Sequence, residues 1–74
     1  MLTNLEAAKQ VDDLMILIEH QLAGSMEMVE ARCSLEEYVL YKRAVGKVVT
    51  TILVEILDPL YERNSSLKPV GWDD

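Results

Sequence analysis

One short run, Ser34-Leu35-Glu36-Glu37, sits between two long stretches of helical periodicity and determines where this chain turns. It matches a capping box. The Ser34 hydroxyl is placed to accept from the backbone N–H of Glu37, and the Glu37 carboxylate to reach back to the N–H of Ser34. A helix that starts there follows directly on an earlier helix, so the run predicts a helical hairpin with its bend at Cys33 and Ser34.

The first helix is expected to begin at Thr3 or Asn4, where Thr3-Asn4-Leu5-Glu6 forms a second possible capping box. Leu5, Ala8, Val11, Met15, Ile18, Leu22, Met26, Val29 and Cys33 then recur at alternating steps of three and four, which is one continuous helical stripe. Leu14 and Leu17 widen it, while Glu6, Lys9, Asp13, Glu27 and Glu30 fall mainly outside it. Gly24 costs about 1 kcal/mol in a helix interior. The stripe continues across it from Leu22 to Met26, so the helix is predicted to continue too.

The second helix carries the stripe Tyr38, Tyr41, Val45, Val48 or Val49, Ile52, Ile56 and Leu60. A flanking row holds Leu35, Val39, Lys42, Gly46, Leu53 and Leu57. The β-branched run Val48 to Val54 suits a strand by propensity, but it does not alternate with period two and it continues a longer helical pattern. Asp58-Pro59 punctuates this helix by a kink or by capping a new short turn. The expected layout is a hairpin over residues 1–63 and a C-terminal tail over 64–74. Helix one covers about 4–32, and helix two about 35–57 with a further turn to 63.

This register makes Gly24 face Ala44 and Leu22 face Gly46. Small residues then meet midway, and the two glycines are expected to let the backbones approach closely. The same register brings Glu27 and Glu30 near Lys42 and Arg43, as exposed pairs contributing less than about 1 kcal/mol each.

Size brings in the need for a partner. A 74-residue chain is one domain at most and is marginal unless disulfides, a metal or oligomerisation reinforce it. Cys33 is the only cysteine, so no disulfide forms within the chain, and one Cys with one His makes a four-ligand zinc site a poor expectation. Oligomerisation remains. The lone cysteine and the lack of a secretory segment predict a cytoplasmic protein. The net charge of −6 disfavours simple attraction to DNA or anionic lipid. The longest apolar stretch, Val48 to Leu57, is broken by Thr50, Thr51 and Glu55 and is far shorter than the roughly 18 residues of a membrane span.

No constellation carries catalytic chemistry. His20 beside Glu19, with Asp13 and Asp12 seven and eight residues back, lacks the Glu-x-x-His spacing of di-iron bundles and reads as a solvated or interface-edge imidazole. Asp12-Asp13 and Glu36-Glu37 are adjacent pairs whose side chains diverge by about 100°, so neither converges on one ion. Met15, Met26 and Met28 read as core, with Met28 off the main stripe and free to line an adaptable partner surface. Lys42, Arg43 and Lys47, one turn beyond Tyr38 and Tyr41, form the basic cluster and the candidate RNA contact. Trp72 lies in the tail and is expected to pack back onto its own fold or to meet a partner.

The sequence therefore predicts an all-α protein, an antiparallel helical hairpin dimerising into a four-helix bundle. The candidate dimer interface is Val39, Ile52, Leu53, Ile56 and Leu57, and the candidate partner-binding residues are Tyr38, Tyr41, Lys42, Arg43, Lys47 and Trp72. The expected function is that of a non-enzymatic interaction protein, an adaptor, inhibitor or accessory subunit that pairs with itself and with another protein. An RNA-binding regulator is the alternative, and a metal-dependent helical enzyme comes behind it. No catalytic residue, cofactor, metal or membrane contact is expected. No motif identifies a family.

Overall fold

The computed structural model describes residues 2–72, and all of its regular structure is helical. Met1, Asp73 and Asp74 belong to the expected hairpin and tail ranges but lie outside the described residues. Helix α1 spans Leu5–Arg32 and α2 spans Leu35–Thr51. A π-helical segment, Ile52–Leu57, leads without a break into a short α3 at Asp58–Arg63, and a 3₁₀ turn follows at Ser65–Leu67.

Local chemistry explains each boundary. Asn4 caps α1, its side-chain oxygen accepting from the Ala7 N–H at 2.9 Å. At the other end the Cys33 N–H donates to Val29, and Cys33 and Ser34 both take extended backbone conformations. The capping box at Ser34 is complete. The Glu37 N–H donates to Ser34 Oγ at 3.1 Å, and the Ser34 N–H donates to Glu37 Oε1 at 3.0 Å. These bonds favour the ionised carboxyl, and hydrogen bonding from the Ser34 backbone, then from its hydroxyl, holds Glu37 below the usual carboxylate range.

The π segment follows from Pro59. An α-helix would pair the Glu55 carbonyl with residue 59, but proline has no N–H, and its ring presses on that carbonyl. Widening the turn relieves the clash. The Asp58 N–H donates to Leu53, five residues back, in the π pattern. The extra residue per turn re-aims everything after it. Ile52 and Leu57, five apart, are both buried, and Leu60, Tyr61 and Asn64 follow on the same side. Val39 is exposed, Ile56 is half-buried, and Leu53 packs against the core. Ile52 continues the stripe through Tyr41 and Val45, and the wide turn puts Leu57 on the same side, so two of the residues expected at a dimer interface are covered within the single chain.

The two helical arms lie side by side and run in opposite directions. Ser25 meets Tyr41 near the connection, and Leu2 meets Asn64 at the far end. The pair measures 44 by 20 by 20 Å. Its core sits at the end remote from the connection, where Ala8, Ile52, Leu57, Leu60 and Tyr61 are buried and Leu2, Val11, Met15, Ile18, Leu53, Leu67 and Trp72 pack around them. Val45 is the buried residue nearest the connection.

α1 passes through Gly24 unbroken. The glycines do not serve close approach. A Cβ at Gly24 or at Gly46 would meet nothing within 4 Å, and both residues are exposed. The seam runs instead through Ser25 and Val45, their immediate neighbours, so each glycine stands about 100° off it.

Candidate interaction surface

Polar side chains tie the two arms at both ends. Ser25 Oγ donates to the Leu22 carbonyl at 2.7 Å, so its contact with the Tyr41 hydroxyl, also 2.7 Å, has Tyr41 as donor. At the core end the Tyr61 hydroxyl donates to the buried Asp12 carboxylate. Burial, then the hydrogen bond and charge of Asp12, then the charge of Glu19 push the Tyr61 hydroxyl well above the usual tyrosine range. Glu19 turns an oxygen inward that is buried and has no hydrogen-bond partner. The Asn64 side-chain amide donates to the Leu2 carbonyl at 2.8 Å and joins the start of the chain to the start of the tail.

The tail packs back. The Trp72 ring meets Tyr61 edge-on, with centroids 4.9 Å apart and planes at 83°. Gly71, at φ 84°, makes the turn that allows it, and the Trp72 N–H donates to Pro69 at 3.1 Å. Leu67 and Trp72 anchor this segment, whereas Val70 is fully exposed.

The candidate partner-binding residues do not form one site. Lys42, Arg43 and Lys47 are exposed on α2. Lys42 Nζ lies 6.0 Å from the centroid of the half-buried Tyr38 ring, and Tyr41 has turned its hydroxyl toward α1. Trp72 sits with Tyr61, roughly 27 Å of helical rise from Arg43. His20 and Cys33 are exposed, and among the described residues no three His, Cys, Asp or Glu side chains come together as a metal-holding group. No pocket opens among them, and no helix is long and apolar enough to cross a membrane.

No family model, curated protein or solved structure matches the chain. The surface itself is therefore the guide. Along α1 the seam residues are Val11, Met15, Ile18, Leu22, Ser25 and Val29, all half-buried. The residue before each is Gln10, Leu14, Leu17, Gln21, Gly24 and Met28. This row is exposed and uncharged throughout. The residue after each is Asp12, Ile16, Glu19, Ala23, Met26 and Glu30, a row studded with carboxylates. Along α2 the corresponding preceding row is Glu37, Leu40, Ala44, Val48 and Thr51, also exposed, and Glu37 is occupied by the cap. The following row there contains Val39, Lys42 and Gly46. In two helices running in opposite directions, one step back along each turns to the same side of the pair. One broad side thus carries both uncharged rows. In the sequence, Leu14 and Leu17 widen the stripe, and their one-residue offset from Met15 and Ile18 is the signal of this second row.

Proposed function

We propose that this chain is a small non-enzymatic interaction protein: a helical hairpin that pairs into a homodimeric four-helix bundle and serves another protein as adaptor, inhibitor or accessory subunit. The observation that carries this reading is the row of large apolar side chains left open. Leu14, Leu17, Met28, Leu40 and Val48 are 49, 52, 47, 57 and 49% exposed. Large apolar side chains left exposed together on one side of a small protein mark an association site. The thin core supports the same reading, because a chain that buries so few side chains by itself gains from burial against a neighbour.

The test is affinity purification of the tagged full chain from its native host, with its mass in solution read in parallel. A second protein recovered in fixed stoichiometry, together with a dimer mass, is the expected result. The exposed cluster Lys42, Arg43 and Lys47, with Tyr38 under Lys42, supports RNA binding as the second reading. That reading requires affinity for structured RNA that falls steeply with salt and drops in an Arg43→Gln/Lys47→Gln variant.

A further inference from the structure

We propose that the second copy seats on the side of the pair that carries Leu14, Leu17 and Met28 of α1 with Leu40 and Val48 of α2, and not on the opposite side that carries Val39. This rests on the homodimer reading above and names its surface.

Three observations select that side and that occupant. The first is periodicity. The row on α1 from Gln10 to Met28 advances by alternating steps of four and three, one residue behind the seam that already faces α2. A helix with two such stripes, about 100° apart, presents one stripe to each of two neighbours, as every helix in a square four-helix bundle must. The hairpin supplies one neighbour and leaves the second stripe open.

The second observation is charge. The chain carries a net charge of −6, so two copies repel least when the surfaces that meet carry no charge. The chosen side is free of charged residues through its middle on both helices. The other side is charged: Glu30 is exposed and Glu19 half-buried on its α1 row, and Lys42 is exposed on its α2 row, so a second copy seated there would have to desolvate or pair these groups. A different partner would need no such avoidance and would be served equally well by a charged face.

The third observation is area. The α1 row from Gln10 to Met28 rises about 27 Å, and across the 20 Å width of the pair this makes a face of roughly 540 Å², near the ~600 Å² per partner at the lower end of specific interfaces. The glycine and alanine on the face, Gly24 and Ala44, present no side chain beyond a methyl and leave room for the leucines of the opposing copy.

The experiment is sedimentation equilibrium on the full chain, the Leu17→Glu variant, the Leu40→Glu variant and the Val39→Glu variant, with helicity followed by circular dichroism. The expected result is a wild-type dimer, a dissociation constant raised at least tenfold by Leu17→Glu and by Leu40→Glu, and no such rise for Val39→Glu. Dissociation by Val39→Glu alone overturns the choice of face while leaving the homodimer standing. A monomeric wild type overturns the homodimer reading itself. Hydroxyl-radical labelling of the unsubstituted chain reads the same face without any risk to folding. Met28 protected at high protein concentration and labelled on dilution, with Leu35 and Val39 labelled throughout, supports the proposal. Met28 labelled equally at both concentrations in a dimer defeats it.

Discussion

Asp12 and Tyr61 stand 49 residues apart in the chain and share a buried hydrogen bond, the tyrosine hydroxyl donating to the carboxylate. The bond fastens α1 to the segment that follows Pro59. It also joins the core to the tail, because the same ring packs T-shaped against Trp72.

Replacing Tyr61 by phenylalanine keeps the ring and removes the donor. The buried Asp12 carboxylate then loses its partner, and the expected cost is about 1–3 kcal/mol in chemical denaturation. The pH profile supplies a separate check. The folded protein raises the Tyr61 hydroxyl above its ordinary value, so its stabilising contribution is complete below pH about 10 and is lost as pH rises beyond that. Urea midpoints at rising alkaline pH should fall more steeply for the wild type than for Tyr61→Phe. Parallel curves refute the assignment.

Gly46→Ala should stabilise the chain by up to about 1 kcal/mol. The added methyl meets open space, and the helix loses the entropic cost that glycine carries in its interior. A thermal melt at fixed protein concentration measures the sign. A destabilised Gly46→Ala variant means that something approaches this position in the assembled protein.

Ser34→Ala removes the acceptor for the Glu37 N–H and should cost about 1 kcal/mol. The lowered Glu37 carboxyl adds a signature in acid. Its contribution is present above the ordinary glutamate value near pH 4.3 and is lost as pH falls below it through the folded value. In Ser34→Ala that component of the acid loss should shrink, as followed by helicity between pH 5 and 2, a window taken as roughly the carboxylate range.

Removing residues 67–74 strips Leu67 and Trp72 from the core end. The expected outcome is a lower melting temperature and a solvent-exposed apolar patch over Tyr61 that binds a hydrophobic dye. In the intact chain, Trp72 fluorescence should be partly shielded from quenchers. Emission that is fully quenched, with stability unchanged by truncation, would show that the tail leaves Tyr61 in solution.

What was legible in the sequence was local. Ser34 and Glu37 lie within one turn, so their reciprocal bonds follow from spacing alone, and the stripe from Leu5 to Val29 reads directly as one helix. The effect of Pro59 was only half legible. A missing N–H predicts a disturbance, but whether the helix kinks, restarts or widens depends on what lies beneath it. Here Ala8 and Asp12 receive Leu57, Leu60 and Tyr61, and the wide turn is the solution that lets them meet. A reading tied to steps of three and four carries the inward stripe from Ile52 to Ile56 and cannot anticipate the five-residue step from Ile52 to Leu57, so Leu57 falls in the flanking row. The Asp12–Tyr61 pair was hidden for a related reason: its partners are far apart, and the adjacent Asp13 made Asp12 look like half of a solvated pair. The glycines misled because a register uncertain by one residue moves each of them from the seam to the outside.

The position of the core sets an order of events during synthesis. Its buried residues come from the first and last parts of the chain, Ala8 on one side and Leu57, Leu60 and Tyr61 on the other. A nascent chain can complete α1 and the Ser34 cap while the residues that lock them together are still being added. Closure therefore waits until Tyr61 has left the ribosome, and the open apolar rows are exposed to chaperones and to other nascent copies throughout that interval. The contacts of Ala8 and Asp12 with residues about fifty positions later thus set when α1 becomes part of a packed core.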